Sequence, residues 1–155
     1  MSLLGLKQLI GYAIRLEENG ERFYRAWAEK QENPRHRELF SHLADEEIRH
    51  RVTFKQLSEM VSDKGADPAN YDDYAGYLSS FSETLFNPGR QEAEMAAVKD
   101  IQGAVDFAMR RELDSILFYQ EIKPFVHPEQ EATISTIINE ERNHYRDLAA
   151  FRQTL

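Results

Sequence analysis

The stretch "EEIRH", residues 46–50, decides how the fold of this chain is interpreted. It places Glu47 and His50 three residues apart, a spacing that puts two side chains on one face of an α-helix. The apolar residues around the pair recur at alternating steps of three and four, so both polar side chains fall on the stripe that should face a protein core. That stripe consists of Phe40, Leu43, Glu47, His50, Phe54, Leu57 and Val61.

A second stretch, "EERNH" at residues 140–144, repeats the arrangement in the other half of the chain. Glu141 and His144 interrupt an apolar stripe in the same way. One E-x-x-H match is weak evidence for a metal site, but two in matched register on core stripes are strong evidence for one. The apolar members of this second stripe are Ile134, Ile137, Leu148 and Phe151.

Each E-x-x-H pair is preceded by a glutamate that also lies on a core stripe. Glu17 comes 30 residues before Glu47, and Glu112 comes 29 residues before the second pair. In both halves a tyrosine, Tyr24 or Tyr119, follows that glutamate by seven residues, two helical turns along the same face. The chain is therefore interpreted as a duplicated helical hairpin.

Four long stretches carry helical periodicity, at about 3–32, 34–63, 92–123 and 128–153. The first two meet at Asn33-Pro34 and the last two near His127-Pro128, tight connections that indicate antiparallel hairpins. No sustained strand alternation is visible, so the chain is predicted to be all-α.

The long segment between the hairpins, about 64–91, is predicted to contain one short amphipathic helix. One long crossover between two hairpins gives an up-down-down-up four-helix bundle, expected as a single domain over 1–155. The apolar residues that suggest the short helix are Tyr71, Tyr74, Leu78, Phe81 and Leu85.

Composition narrows the possible partners and site types. With 41% hydrophobic and 30% charged residues, the chain fits a soluble globular protein. It has no apolar run near the roughly 20 residues of a membrane span and no visible secretory signal. The net charge of −8 argues against nucleic acid and anionic membranes.

The chain has no cysteine, which excludes disulfides, thiolate zinc sites, iron–sulfur centres and rubredoxin-type iron. This fits a reducing cytoplasm, where we expect the protein to be. Four glutamates and two histidines in a core are costly as bare charges. Two divalent cations would cancel the four negative charges, so a dinuclear metal site is predicted.

The pattern resembles the ferritin-like di-iron carboxylate superfamily, closest to its rubrerythrin-like branch, over essentially the whole chain. The resemblance implies a ferritin-like four-helix bundle and two iron ions, with manganese or zinc as substitutes. It also implies the ligand roles at this catalytic site: Glu47 and Glu141 bridging, Glu17 and Glu112 terminal, and His50 and His144 each on one metal.

Three features show where the chain differs from rubrerythrins proper and from ferritins proper. Rubrerythrins proper carry a rubredoxin-like domain with four cysteines, so electrons are expected from a separate donor, rubredoxin-like or flavoprotein. They also carry an extra glutamate three residues after Glu112, where this chain has Ser115. Ferritins proper usually lack the second histidine, so His144 favours the rubrerythrin-like branch.

The resemblance implies an oxidoreductase that reduces H₂O₂ or O₂, and we expect a homodimer. Alternatives remain open: a ferroxidase or iron-handling protein, and a metal-stabilised scaffold or sensor without turnover. A manganese catalase is a variant of the first reading. Oxygenases and radical-generating reductase subunits share the motif but usually occur in larger chains.

Several neighbouring residues have simpler expected roles. Tyr24 and Tyr119 are expected to donate hydrogen bonds to buried carboxylates. Gly20 and Ser115 are small residues that either leave room for a small oxidant or let helices approach. The remaining residues are expected to be solvated or at the surface (Glu18, Glu46, Glu140, His36 and His42), or to lie in a loop or cap a helix (His127).

Overall fold

The computed structural model describes residues 5–61 and 71–155. These residues form six α-helices and one short 3₁₀ turn, without any strand, so the all-α prediction is confirmed. The helices are α1 (Leu6–Glu29), α2 (Pro34–Met60), α3 (Tyr71–Leu85), α4 (Pro88–Ala96), α5 (Ile101–Ile122) and α6 (Pro128–Arg152).

The four long helices, α1, α2, α5 and α6, form the predicted four-helix bundle. Two apolar clusters lie at its two ends, with buried glutamates and histidines between them. α1 and α6 run from the first cluster to the second, whereas α2 and α5 run the other way, which confirms the up-down-down-up order. One residue per long helix marks each cluster: Leu9, Phe54, Phe118 and Ile134 in the first, and Phe23, Phe40, Val105 and Leu148 in the second.

Capped proline turns fix the two hairpins. The Asn33 side chain accepts a hydrogen bond from the Arg35 amide at 3.0 Å, with Pro34 at the first helical position of α2. His127 caps α6, as expected: its Nδ1 accepts from the Glu129 amide at 3.4 Å. These caps set where α2 and α6 begin, and therefore at what height their E-x-x-H pairs enter the bundle.

The third long helix was predicted to begin near residue 92, and this is wrong. α5 begins at Ile101, and α4 is a separate helix, so the crossover holds two helices rather than one. Asp100 has extended backbone angles, and its side chain accepts a hydrogen bond from the Gly103 amide at 2.7 Å, which starts a new helix. Apolar spacing continues through Val98, so periodicity alone does not reveal the break.

The other predicted helix ends differ by a few residues. α2 ends at Met60, three residues before the predicted end, because Val61 has extended backbone angles. α1 ends at Glu29 rather than near residue 32, followed by the short turn into α2. The predicted start of the first helix, near residue 3, lies outside the described residues.

Candidate metal centre

Six buried carboxylate and imidazole side chains fill the middle of the bundle, and we call them the Glu/His layer. They include every site residue expected from the sequence, and none is more than 5% exposed. Each of the four long helices contributes to the layer, α1 and α5 with one residue and α2 and α6 with two. The Glu/His layer consists of Glu17, Glu47, His50, Glu112, Glu141 and His144.

The layer divides into two groups of four that share two members. Within each group the potential ligand atoms all lie within 4.8 Å of one another. Glu47 and Glu141 belong to both groups, so a carboxylate from α2 and one from α6 lie between two possible metal positions. The groups are Glu17, Glu47, His50 and Glu141, and Glu47, Glu112, Glu141 and His144.

Both imidazoles turn their Nδ1 atoms towards the carboxylates of the layer. His50 Nδ1 lies 3.4 Å from Glu17 Oε2 and 3.2 Å from Glu141 Oε1. His144 Nδ1 lies 2.9 Å from Glu141 Oε2 and 3.7 Å from Glu47 Oε1. The two rings stack with their centroids 5.6 Å apart, so the histidines of the two halves meet across the middle of the layer.

Four buried polar atoms of the layer have no hydrogen-bond partner among the described residues. Buried polar atoms are normally satisfied, so a cluster of unsatisfied ones needs an explanation. Oxygen and imidazole nitrogen donors suit iron, manganese and zinc, and the residues present therefore fit a bound metal pair. The atoms are Glu17 Oε2, Glu47 Oε1, His50 Nδ1 and Glu141 Oε1.

Each histidine also faces a carboxylate on its outer side, contrary to expectation. Glu140 Oε2 lies 2.7 Å from His50 Nε2, and Glu46 Oε2 lies 3.9 Å from His144 Nε2. Glu46 and Glu140 were expected to be solvated, but both are half-buried because α2 and α6 face each other at the layer. The Glu140 carboxylate fixes the His50 ring through Nε2 and leaves Nδ1 free to bind metal, whereas Glu46 is too far from His144 for a hydrogen bond. The sequence did contain a signal for these outer carboxylates, since each half has two consecutive glutamates before its histidine.

The two tyrosines connect the halves of the layer. The Tyr24 hydroxyl of α1 donates to Glu112 Oε1 of α5, and the Tyr119 hydroxyl of α5 donates to Glu17 Oε1 of α1. The expected hydrogen bonds to buried carboxylates are therefore present, and each crosses to the opposite half. Each bond fixes one oxygen of its glutamate and leaves the other oxygen available to a metal.

Without a cation the layer retains protons. Burial raises the pKa of Glu47 well above its usual value, and the charges of Glu17 and Glu141 raise it further. Burial alone would lower the pKa of His50, but the nearby Glu141 and Glu17 carboxylates favour the charged ring, outweigh burial and raise the value to about 12. Burial would also lower the pKa of His144, but the Glu112 and Glu141 carboxylates outweigh burial and raise the value to about 10. Protons thus partly balance the carboxylates where metal ions would do so.

A cavity of about 320 Å³ between α1, α4 and α5 reaches the layer at Glu47 and Glu112. Gly20 and Ser115 both line this cavity. Of the two roles expected for these small residues, the structure therefore supports the one in which they leave open space. A Cβ atom on Gly20 would lie 2.5 Å from Glu47 Oε2. The glycine therefore also makes room for the Glu47 carboxylate.

The remaining histidines lie away from the layer. His42 is exposed, as expected, whereas His36 is half-buried with its ring edge against Phe151, the ring centroids 4.8 Å apart. Glu18, expected to be solvated, is half-buried.

A family model described as Rubrerythrin matches residues 8–152. The chain belongs to the rubrerythrin family. A search of curated proteins gives no match. Among solved structures, a candidate ferritin-like diiron-carboxylate protein from Thermotoga maritima is similar, with 26% sequence identity and a TM-score of 0.72. The similarity covers 99% of this chain and 97% of that one.

The rubrerythrin family assignment agrees with the layer, since buried glutamate and histidine side chains form a candidate di-metal site in a ferritin-like bundle. In the part of the chain that the structure describes, no helix is long and apolar enough to cross a membrane.

Proposed function

We propose that this protein binds two iron ions in the Glu/His layer and reduces H₂O₂ or O₂ there. The observation that carries the proposal is the pair of four-residue groups sharing Glu47 and Glu141, both of which contain unsatisfied buried atoms. One metal would be held by Glu17 and His50, the other by Glu112 and His144, and both by the two shared carboxylates.

A redox-active metal pair bound by the Glu/His layer would supply the two electrons that, with two protons, convert H₂O₂ into two waters. The chain provides access and positioning. The cavity leads to the Glu47 and Glu112 carboxylates, and Tyr24 also lines it. The Tyr24 hydroxyl keeps its proton on Oη, because burial and the charge of Glu112 raise its pKa well above the usual value.

The chain contains no cysteine and therefore no rubredoxin-type iron that could pass electrons to the layer, which supports a separate electron donor of rubredoxin or flavoprotein type. We further propose a cytoplasmic homodimer. The absence of cysteine is consistent with the compartment.

The test is anaerobic loading with Fe(II), measurement of iron per chain, and then peroxide consumption with a chemical reductant. We expect about two metals per chain, the number that this ligand set accommodates, and consumption above that of free iron. His144→Ala should lower both, whereas the exposed His42→Ala should lower neither. Fewer than two bound metals would contradict the proposal.

Two other outcomes identify the alternatives. Full loading without peroxide consumption above free iron would indicate a metal-stabilised scaffold or sensor. Iron oxidation by a protein that light scattering shows to be a large hollow assembly would indicate iron storage.

A further inference from the structure

The cavity beside the layer is larger than a peroxide requires. Its volume is about 320 Å³, whereas a water occupies about 30 Å³ of the liquid. Pockets that bind organic molecules begin at about 300 Å³. The space therefore accommodates a molecule of several carbon atoms in contact with the Glu47 and Glu112 side chains.

The walls of this cavity are mainly apolar. They come from α1, α5 and the roof helix α4, so an apolar molecule placed there would be largely removed from water. The apolar lining residues are Leu16, Phe23, Pro88, Met95, Phe107 and Ala108.

The solvent-facing side of the cavity carries a different set of groups. Arg22 and Arg111 line it, and among the described residues neither guanidinium has a carboxylate oxygen within 4 Å. Arg22 is exposed and donates to Asn19 Oδ1 at 2.6 Å, whereas Arg111 is half-buried without a hydrogen-bond partner in the described chain. Glu92 is the one exposed carboxylate among the described residues of the lining. Asp114, half-buried and three residues further along α5, is a charged neighbour of Arg111 at more than 4 Å. This side of the cavity therefore carries two arginines that form no ion pair with the described chain.

The roof of the cavity is held loosely. None of the residues of α4 is buried. A hydrogen bond from Asn19 Nδ2 to Gln91 Oε1, 3.3 Å long, joins α4 to α1. Gln91 Nε2 also donates to the Leu85 carbonyl at 3.0 Å. A helix without buried residues can move to admit a molecule.

We propose that this cavity binds an organic carboxylate with an apolar body. The body lies against the apolar walls beside the layer, and the carboxylate pairs with Arg111 at the mouth, with Arg22 near it. Guanidinium groups match carboxylates geometrically, and a half-buried one that forms no ion pair or hydrogen bond with the described chain is available to such a ligand. The site adjoins the layer of the proposed function, but binding requires no turnover.

The test is calorimetric titration of the iron-loaded protein with octanoate and, separately, with octanol, which has the same chain length and no charge. We expect octanoate to bind more tightly. Arg111→Gln should weaken octanoate binding by about tenfold or more, as loss of a charged hydrogen bond does, and leave octanol binding unchanged. Arg110→Gln removes the same charge from an exposed neighbour that does not line the cavity, and should change neither.

A second variant tests the location of the apolar body. Met95→Trp places a larger side chain into the cavity from a helix without buried residues, so the bundle should remain folded while both ligands bind more weakly. Met60→Trp, on the exposed end of α2, is the matched control.

Three results would overturn the inference. The first is no octanoate binding, and the second is an equal effect of the two arginine variants. The third is octanoate binding that Arg111→Gln does not change and that disappears when the metal is removed. The last would place the carboxylate on the metals. Octanoate binding without peroxide consumption would contradict the proposed function alone. Peroxide consumption without octanoate binding would contradict this inference alone.

Discussion

At the scale of single residues, Gly20 controls the position of the Glu47 carboxylate. An added Cβ would lie 2.5 Å from Glu47 Oε2, the free end of a side chain that can shift without unfolding the bundle. Gly20→Ala should therefore lower metal affinity, by about 10- to 100-fold as for other changes around a metal ligand. Isothermal titration with Fe(II) or Zn²⁺ measures the affinity.

Gly11→Ala is the matched control, because Gly11 lies in the same helix with nothing within 4 Å of its added Cβ. Alanine favours a helix interior over glycine by about 1 kcal/mol. Both variants should therefore keep or raise the melting temperature of the metal-free protein, and only Gly20→Ala should lose affinity. Equal metal affinities in the two variants would contradict the role given to Gly20.

Glu140 is expected to act on metal binding through His50. Its Oε2 atom lies 2.7 Å from His50 Nε2, whereas Glu46 lies 3.9 Å from the corresponding atom of His144. Glu140→Ala should weaken metal binding by about 10-fold or more, and Glu46→Ala should weaken it less. Glu140→Gln keeps an acceptor for the His50 proton and should recover much of the loss. The reverse order of the two alanine variants would contradict this geometry.

The sequence was sufficient to find the Glu/His layer but not the carboxylates outside it. Glu47 and His50 interrupt an apolar stripe, and a charge on such a stripe is visible in one helix alone. Glu46 and Glu140 lie beside the stripe, and their burial depends on the opposing helix, which no single-helix pattern describes.

At the scale of elements, the start of α5 depends on Asp100. Its side chain accepts a hydrogen bond from the Gly103 amide at 2.7 Å and separates α5 from α4. Asp100→Ala should lower the free energy of unfolding by about 0.5–2 kcal/mol, the usual cost of losing such a cap. Asp100→Asn retains the acceptor and should lose little. Urea denaturation of both variants measures the difference, and equal losses would show that the cap is not responsible.

The crossover shows what helical periodicity cannot establish. The four long helices were predictable because their apolar stripes extend over many turns. The break before Ile101 covers only residues 97–100, and the apolar spacing continues across it. The separate helix α4 matters for the ligand site proposed above, because it forms the roof of the cavity.

At the scale of the whole molecule, the metal-free and metal-loaded proteins should respond to pH in opposite directions. The pKa values of Glu17, Glu47, His50 and His144 are all raised in the folded state. From about pH 4.5 to about pH 10 the folded metal-free chain therefore binds more protons than the unfolded chain, and its stability falls as pH rises. The histidine contribution is complete below pH 6.5 and is lost through about 10 for His144 and about 12 for His50.

Metal binding reverses this trend because the ligands must release their protons to bind. Urea denaturation at about pH 6 and about pH 9 should show lower stability at the higher pH without metal, and a larger stabilisation by metal there. A metal-free protein that becomes more stable over this interval would contradict the proton balance described for the layer.

The most direct test of the account is anomalous X-ray scattering, at the iron edge, from crystals of the iron-loaded protein. We expect two peaks per chain within the layer, one beside His50 and the other beside His144, with Glu47 and Glu141 between them. A single peak, or peaks only outside the layer, would contradict the central claim that this bundle holds a dinuclear site.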